Sequence, residues 1–120
     1  MKITIETIPH GEQRYVTCGD WLWEPNGDLL IRVSETGDWR ANAAIAVHEL
    51  VEVLLCKQEG IGQEAVDAFD LAYKGDDEPG DDPAAPYNRQ HCFATAVERM
   101  LIAAFGMTWD EYANVVEALP

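Results

Sequence analysis

Ala44-Ile45-Ala46-Val47-His48-Glu49-Leu50-Val51-Glu52-Val53-Leu54-Leu55 reads as one helix that is apolar nearly all the way round, the pattern of a helix buried inside a domain. Three ionisable residues interrupt it. Dehydrating such groups costs several kcal/mol unless they are paired or bound to a cation. His48 and Glu52 are four residues apart and project from the same face. This spacing suits two ligands of one metal ion. Glu49 lies about a quarter-turn round from His48.

Outward from this helix, the chain divides into a β part (1–36) and a helical part (37–120), read as a single domain of 120 residues. Ile3, Ile5 and Ile8 alternate along a first strand. Arg14 to Trp23 forms a second, and Leu29 to Ser34 the returning third. Between the last two, Glu24-Pro25-Asn26-Gly27-Asp28 is a turn signal, because Asn-Gly accommodates positive φ. Four helices follow: Trp39–Glu59, Gln63–Tyr73, Tyr87–Phe105 and Trp109–Leu119. Asp38 and Gly60 bracket the first, Pro86 and Gly106 the third, and Thr108 with Glu111 forms a capping box on the fourth. Residues 74–86 are a Pro-, Gly- and Asp-rich loop. The expected fold is α+β, a small three-stranded antiparallel sheet packed on about four helices.

The third helix repeats the interrupted stripe. Tyr87, His91, Ala94, Glu98, Leu101, Ile102 and Phe105 share a face, with His91 and Glu98 two turns apart. On the second helix, Asp70 borders the apolar face of Val66, Phe69 and Tyr73. If the three helices pack together, His48, Glu52, Asp70, His91 and Glu98 converge. Two imidazoles with two or three carboxylates suit a divalent Zn²⁺, Mn²⁺ or Fe²⁺ rather than Ca²⁺. The alternative is a metal-free buried network in which His48 pairs with Glu98 and His91 with Glu52, with Asp67 and Asp70 on a solvated helix edge. Trp21, Trp23, Trp39 and Trp109 read as core residues.

Composition narrows the partners. With 8 Lys and Arg against 22 Asp and Glu, the formal charge is −14, which argues against direct binding of nucleic acid or an anionic membrane. A protein or peptide partner fits better. Cys18, Cys56 and Cys92 have neither the number nor the spacing of a disulfide framework, so free thiols in a cytoplasmic setting are expected. The N-terminal alternation is that of a strand, not a signal peptide.

His48-Glu49-Leu50-Val51-Glu52 resembles the HExxH helix of the zincin metallopeptidases, with Glu52 where the second histidine would stand. The resemblance implies zinc as the cofactor, His48 as first ligand, Glu49 as the base that activates water, and His91 or Glu98 as the downstream ligand. The Trp23–Ser34 hairpin resembles the edge strands that precede that helix in compact zincins. With Asp67-Ala68-Phe69-Asp70 and Ala85-Pro86-Tyr87 followed by His91, the whole chain also resembles small phage and prophage proteins with no assigned activity. The functional expectation is a metal-binding protein of zincin-like, metal-dependent hydrolase type. Two alternatives stand beside it. One is a degenerate zincin that keeps the helix for structure only. The other is a non-catalytic acidic inhibitor that mimics nucleic acid through the Asp76–Asp82 acids.

Overall fold

The computed structural model describes all 120 residues. Three strands, β1 (Ile3–Ile8), β2 (Gly19–Trp23) and β3 (Leu29–Ser34), precede four helices, α1 (Trp39–Gln58), α2 (Gln63–Ala72), α3 (Asn88–Ala104) and α4 (Trp109–Glu117). The α+β expectation holds. The purely antiparallel sheet does not: the strand order is β1-β3-β2, with β2 antiparallel to β3 and β1 parallel to it. The reason lies in residues 9–18. They do not turn back as a hairpin but cross the end of β3, where His10 Nδ1 lies 2.8 Å from Ser34 Oγ and Gln13 Nε2 donates to the same oxygen at 3.0 Å. β2 therefore begins at Gly19 rather than Arg14, and Val16 is 98% exposed in the crossing segment.

β3 is the central strand, and its alternation is the clearest in the sheet. Leu29, Ile31 and Val33 are fully buried on the face that meets α1. Register places Gly19 opposite Val33 and Trp21 opposite Ile31 on that same inner face. On β1, Ile3 and Ile5 pair with Leu29 and Ile31, yet at the sheet edge they stay 43% and 47% exposed.

α1 is the middle layer, covered by β2 and β3 on one side and by α3 on the other. That double coverage is why its sequence is apolar all round. Asp38 caps it, accepting from the Arg40 amide at 2.9 Å. Gly60, at φ +72°, closes it with an Ile61 N–H to Cys56 C=O bond of 2.9 Å. Trp39 departs from the core assignment. It is 69% exposed and lies T-shaped against Phe105, with centroids 5.4 Å apart. No helix is long and apolar enough to cross a membrane.

Because Ile31 sits at the centre of both the sheet and its contact with α1, Ile31→Ala should lower unfolding free energy by about 2–5 kcal/mol, read as a reduced urea midpoint at unchanged slope.

Candidate metal centre

Packing α3 against α1 brings His91 over the turn that carries His48 and Glu52. All three side chains are buried. His48 Nε2 lies 3.1 Å from Glu52 Oε2 and 3.2 Å from His91 Nδ1, and His91 Nδ1 lies 2.9 Å from the same Glu52 oxygen. Three potential ligand atoms thus form a near-equilateral triangle. Donors about 2.0–2.1 Å from a tetrahedral zinc ion stand about 3.3 Å apart, so the triangle has nearly the dimensions of one face of such a coordination sphere.

The atoms on the outer side of each of these groups are also committed. His48 Nδ1 is 2.8 Å from Glu98 Oε1, and the other Glu98 oxygen accepts from the Tyr112 hydroxyl. His91 Nε2 is 3.0 Å from Asp81 Oδ1 and 3.1 Å from Glu78 Oε2. Trp21 Nε1–H donates to Glu52 Oε1 at 3.0 Å. Carboxylates on the outer nitrogen of each ring orient it, as around metal-ligating histidines; when the ring is neutral and that outer N–H is donated, the inward nitrogen carries the lone pair.

Electrostatics follow from this crowding. Burial alone would lower the His48 pKa, but hydrogen bonds with Glu52 and Glu98 outweigh it and hold the ring up at about 11. His91 is likewise lowered by burial and raised, on balance to about 10, by Glu52 and Glu78. Glu52 would be raised by burial, yet its bonds with His48 and His91 depress it to about 2. Glu49, half-buried, is pushed well above the usual carboxylate range by burial and then by the charge of Glu52. Its carboxylate lies over Gly19, where a Cβ would stand 2.5 Å from Oε1. A side chain at that position of β2 would have to push the Glu49 carboxylate aside.

Of the residues singled out in the sequence, the structure therefore converges His48, Glu52 and His91. Glu98 is adjacent but sits behind His48, holding its outer nitrogen. Asp70 is one side chain further away: it accepts from Tyr15 at 3.2 Å and from Tyr87, whose ring centroid is 6.2 Å from that of His91. Asp67 pairs with Arg14 at 3.1 Å, and Arg14 also grips buried Asp20 at 2.7 and 2.9 Å. The sequence reading missed Glu78, Asp81, Trp21 and Tyr112 as site residues. For Trp21 and Tyr112 the only signal was an apolar pattern. For Glu78 and Asp81 it was their place in the loop directly before α3. These residues and Glu49 line one cavity of about 830 Å³, where Thr95 Oγ1 is buried without a protein hydrogen-bond partner.

Gly80 touches the site through its backbone. A Cβ there would overlap the His91 ring at Cγ and Nδ1, while Gly80 C=O accepts from Asn88 Nδ2 at 2.9 Å. Gly80→Ala should displace the loop acids from His91 and so lower the pKa of that ring, read from the pH dependence of its ring-proton chemical shifts. Comparison with protein-family models, curated proteins and solved structures finds no match to this chain.

Proposed function

We propose that this protein is a zinc-dependent hydrolase of zincin-like type acting on peptides, with His48, Glu52 and His91 as ligands and Glu49 as general base. The observation that carries the reading is the 2.9–3.2 Å donor triangle with both outer imidazole nitrogens held by carboxylates. Two imidazoles and one carboxylate are also the donor set of several catalytic zinc sites. The order along this chain is His-Glu-x-x-Glu with a later His, so Glu52 supplies the carboxylate that a downstream residue would otherwise provide. Mn²⁺ and Fe²⁺ suit the same donors.

The competing reading is the metal-free network, and the His48–Glu98 and His91–Glu52 contacts favour it. Proton count weighs the other way. His48 Nε2 and His91 Nδ1 face each other at 3.2 Å with one shared acceptor oxygen. Two inward N–H bonds crowd that space, whereas one cation satisfies all three lone pairs.

A bound zinc ion would supply a Lewis acid that lowers the pKa of water at the site. The chain's residues do the rest. Glu49, its carboxyl raised above the usual carboxylate range by burial, takes up the proton from the attacking water and returns it to the leaving amine. Glu98, with Tyr112 behind it, keeps His48 oriented. Trp21 fixes the second oxygen of Glu52 so that only one points inward. The three free cysteines fit a reducing cytoplasm.

Metal-stripped protein titrated with Zn²⁺ should gain roughly 10 °C in Tm at a hundredfold excess over Kd, and His48→Ala should abolish the gain. Absence of any shift with Zn²⁺, Mn²⁺ or Fe²⁺ sinks the metal reading. Glu49→Gln should keep the thermal gain and lose peptide hydrolysis by at least about 10²-fold; hydrolysis surviving in that variant removes Glu49 from the chemistry.

The pH dependence has a definite sign. Both rings hold their protons to about 11 and about 10 in the metal-free protein, so near pH 7 the ion must displace them. Affinity should rise with pH across this range, and binding should release about two protons. Calorimetry in buffers of different ionisation enthalpy measures that release. Affinity independent of pH between 6 and 9 contradicts the assignment.

A further inference from the structure

The two edges of the sheet are not alike. At the β2 edge, Gln63 at the start of α2 accepts from the Trp23 amide at 2.9 Å. β1 is the other edge, and no further strand pairs with it. α1 lies over β2 and β3. Ile3 and Ile5, which share a face with Leu29 and Ile31, therefore stay 43% and 47% exposed. The ladder tells which backbone groups the open edge presents. Lys2 C=O accepts from the Leu29 amide at 2.9 Å, and Ile8 C=O from the Glu35 amide at 2.8 Å. A parallel strand turns alternate residues toward its neighbour, so Lys2, Thr4, Glu6 and Ile8 face β3. The N–H and C=O groups of Ile3, Ile5 and Thr7 point away from β3, out of the sheet.

An open edge is a template for another strand, and proline, bulges or repelling charge commonly blunt it. β1 runs Ile-Thr-Ile-Glu-Thr-Ile without proline, in unbroken register with β3. Its charges admit a second copy of itself in one register. Residues opposite each other in an antiparallel pair share a face, so a two-fold pairing of β1 with itself centres on a residue. Centred on Thr4, Lys2 stands opposite Glu6 and Ile3 opposite Ile5, each twice by symmetry. Centred on Ile3 or Ile5, Lys2 meets Thr4 or Ile8 instead, and centred on Glu6 two carboxylates oppose each other. The Thr4 register also agrees with the backbone. Ile3 and Ile5 carry outward N–H and C=O groups and exchange both bonds. Lys2 and Glu6 fall at the non-hydrogen-bonded positions, where side chains approach most closely. Glu6 Oε1 lies 3.4 Å from Arg32 Nε, which leaves its other oxygen for the lysine.

We propose that this protein self-associates through β1: two copies pair antiparallel about a two-fold axis at Thr4, joining their three-stranded sheets into one of six strands. The charges of β1 complement themselves, and Ile3 and Ile5 gain cover on the face that α1 leaves open. A chain of formal charge −14 repels a second copy. The Lys2–Glu6 pairs place the contact where that repulsion is locally reversed. Two edge strands make a small interface, so the association is weak and depends on concentration. No residue of β1 lines the cavity of the donor triangle, and the proposal is independent of the hydrolase reading.

Analytical ultracentrifugation of the untagged full chain tests this. Monomer should give way to dimer as protein rises from about 10 μM to about 1 mM, and a chain still monomeric at the top of that range overturns the proposal. Residue-resolved amide exchange locates the contact. The Ile3 and Ile5 amides should gain about tenfold or more protection as dimer forms, while Thr4 and Glu6, already turned toward β3, should change less. A dimer that leaves Ile3 and Ile5 unprotected uses another face and overturns the assignment. Charge swaps test the register. Lys2→Glu or Glu6→Lys should each weaken dimerisation about tenfold, because two attractive pairs become two repulsive ones. Mixing these two variants should restore the dimer as a heterodimer, since each Glu of one copy then faces a Lys of the other. Weakening without restoration on mixing rejects the Thr4 register and the proposal with it.

Discussion

One carboxylate oxygen organises this molecule. Glu52 Oε2 lies within 2.9 Å of His91 and 3.1 Å of His48 in the layer between sheet and helix. An isolated charge in that position is unfavourable by several kcal/mol, so everything around it is arranged to offset that cost. Trp21 reaches from β2 to its second oxygen. His91 arrives from α3, and His48 is presented one turn earlier on α1. The packing of three elements is therefore also the solvation of one acid. Breaking any of these contacts leaves a buried polar group without its partner.

The outward shells extend the same logic. Each imidazole is gripped on its far side by acid, Glu98 for one ring and the Asp81–Glu78 pair for the other. Tyr112 secures Glu98 from α4, and Asn88 secures the loop through Gly80. A protein carrying such an excess of negative charge thus places some of its acids where they set ring orientation. The acid loop is not a uniform solvated stretch, because part of it reaches inward.

How much of this the sequence disclosed depends on the kind of signal. α1 and α3 were legible because helical spacing carries two interrupted apolar stripes, and His48, Glu52 and His91 followed from them. Caps such as Asp38 and Gly60 marked the ends, because capping is local chemistry. Ligand and supporting roles were not separable for Glu98: residues seven apart on a helix face the same neighbour, and only the depth at which each meets it distinguishes them. Glu78 and Asp81 lie in a loop without periodicity. The direction of β1 was hidden because alternation reports which side is buried and says nothing about the sense of the adjacent strand. That sense was decided by His10 and Gln13 bonding to Ser34, a contact 21 or more residues apart in sequence. Trp39 misled because large aromatics usually pack inside, whereas this one flanks a helix start.

The sandwiched position of α1 carries one more consequence. A helix clamped between a sheet on one side and α3 on the other cannot slide or tilt without disturbing two interfaces together. Small displacements of the turn that carries His48 and Glu52 are thus suppressed by the core itself. Whatever opening admits a molecule to the cavity is left to the periphery: the 74–86 loop and the last residues, of which Leu119 and Pro120 also line it. The centre is tied into two interfaces at once and the rim into fewer contacts, so amide exchange in the two zones should run on separate clocks.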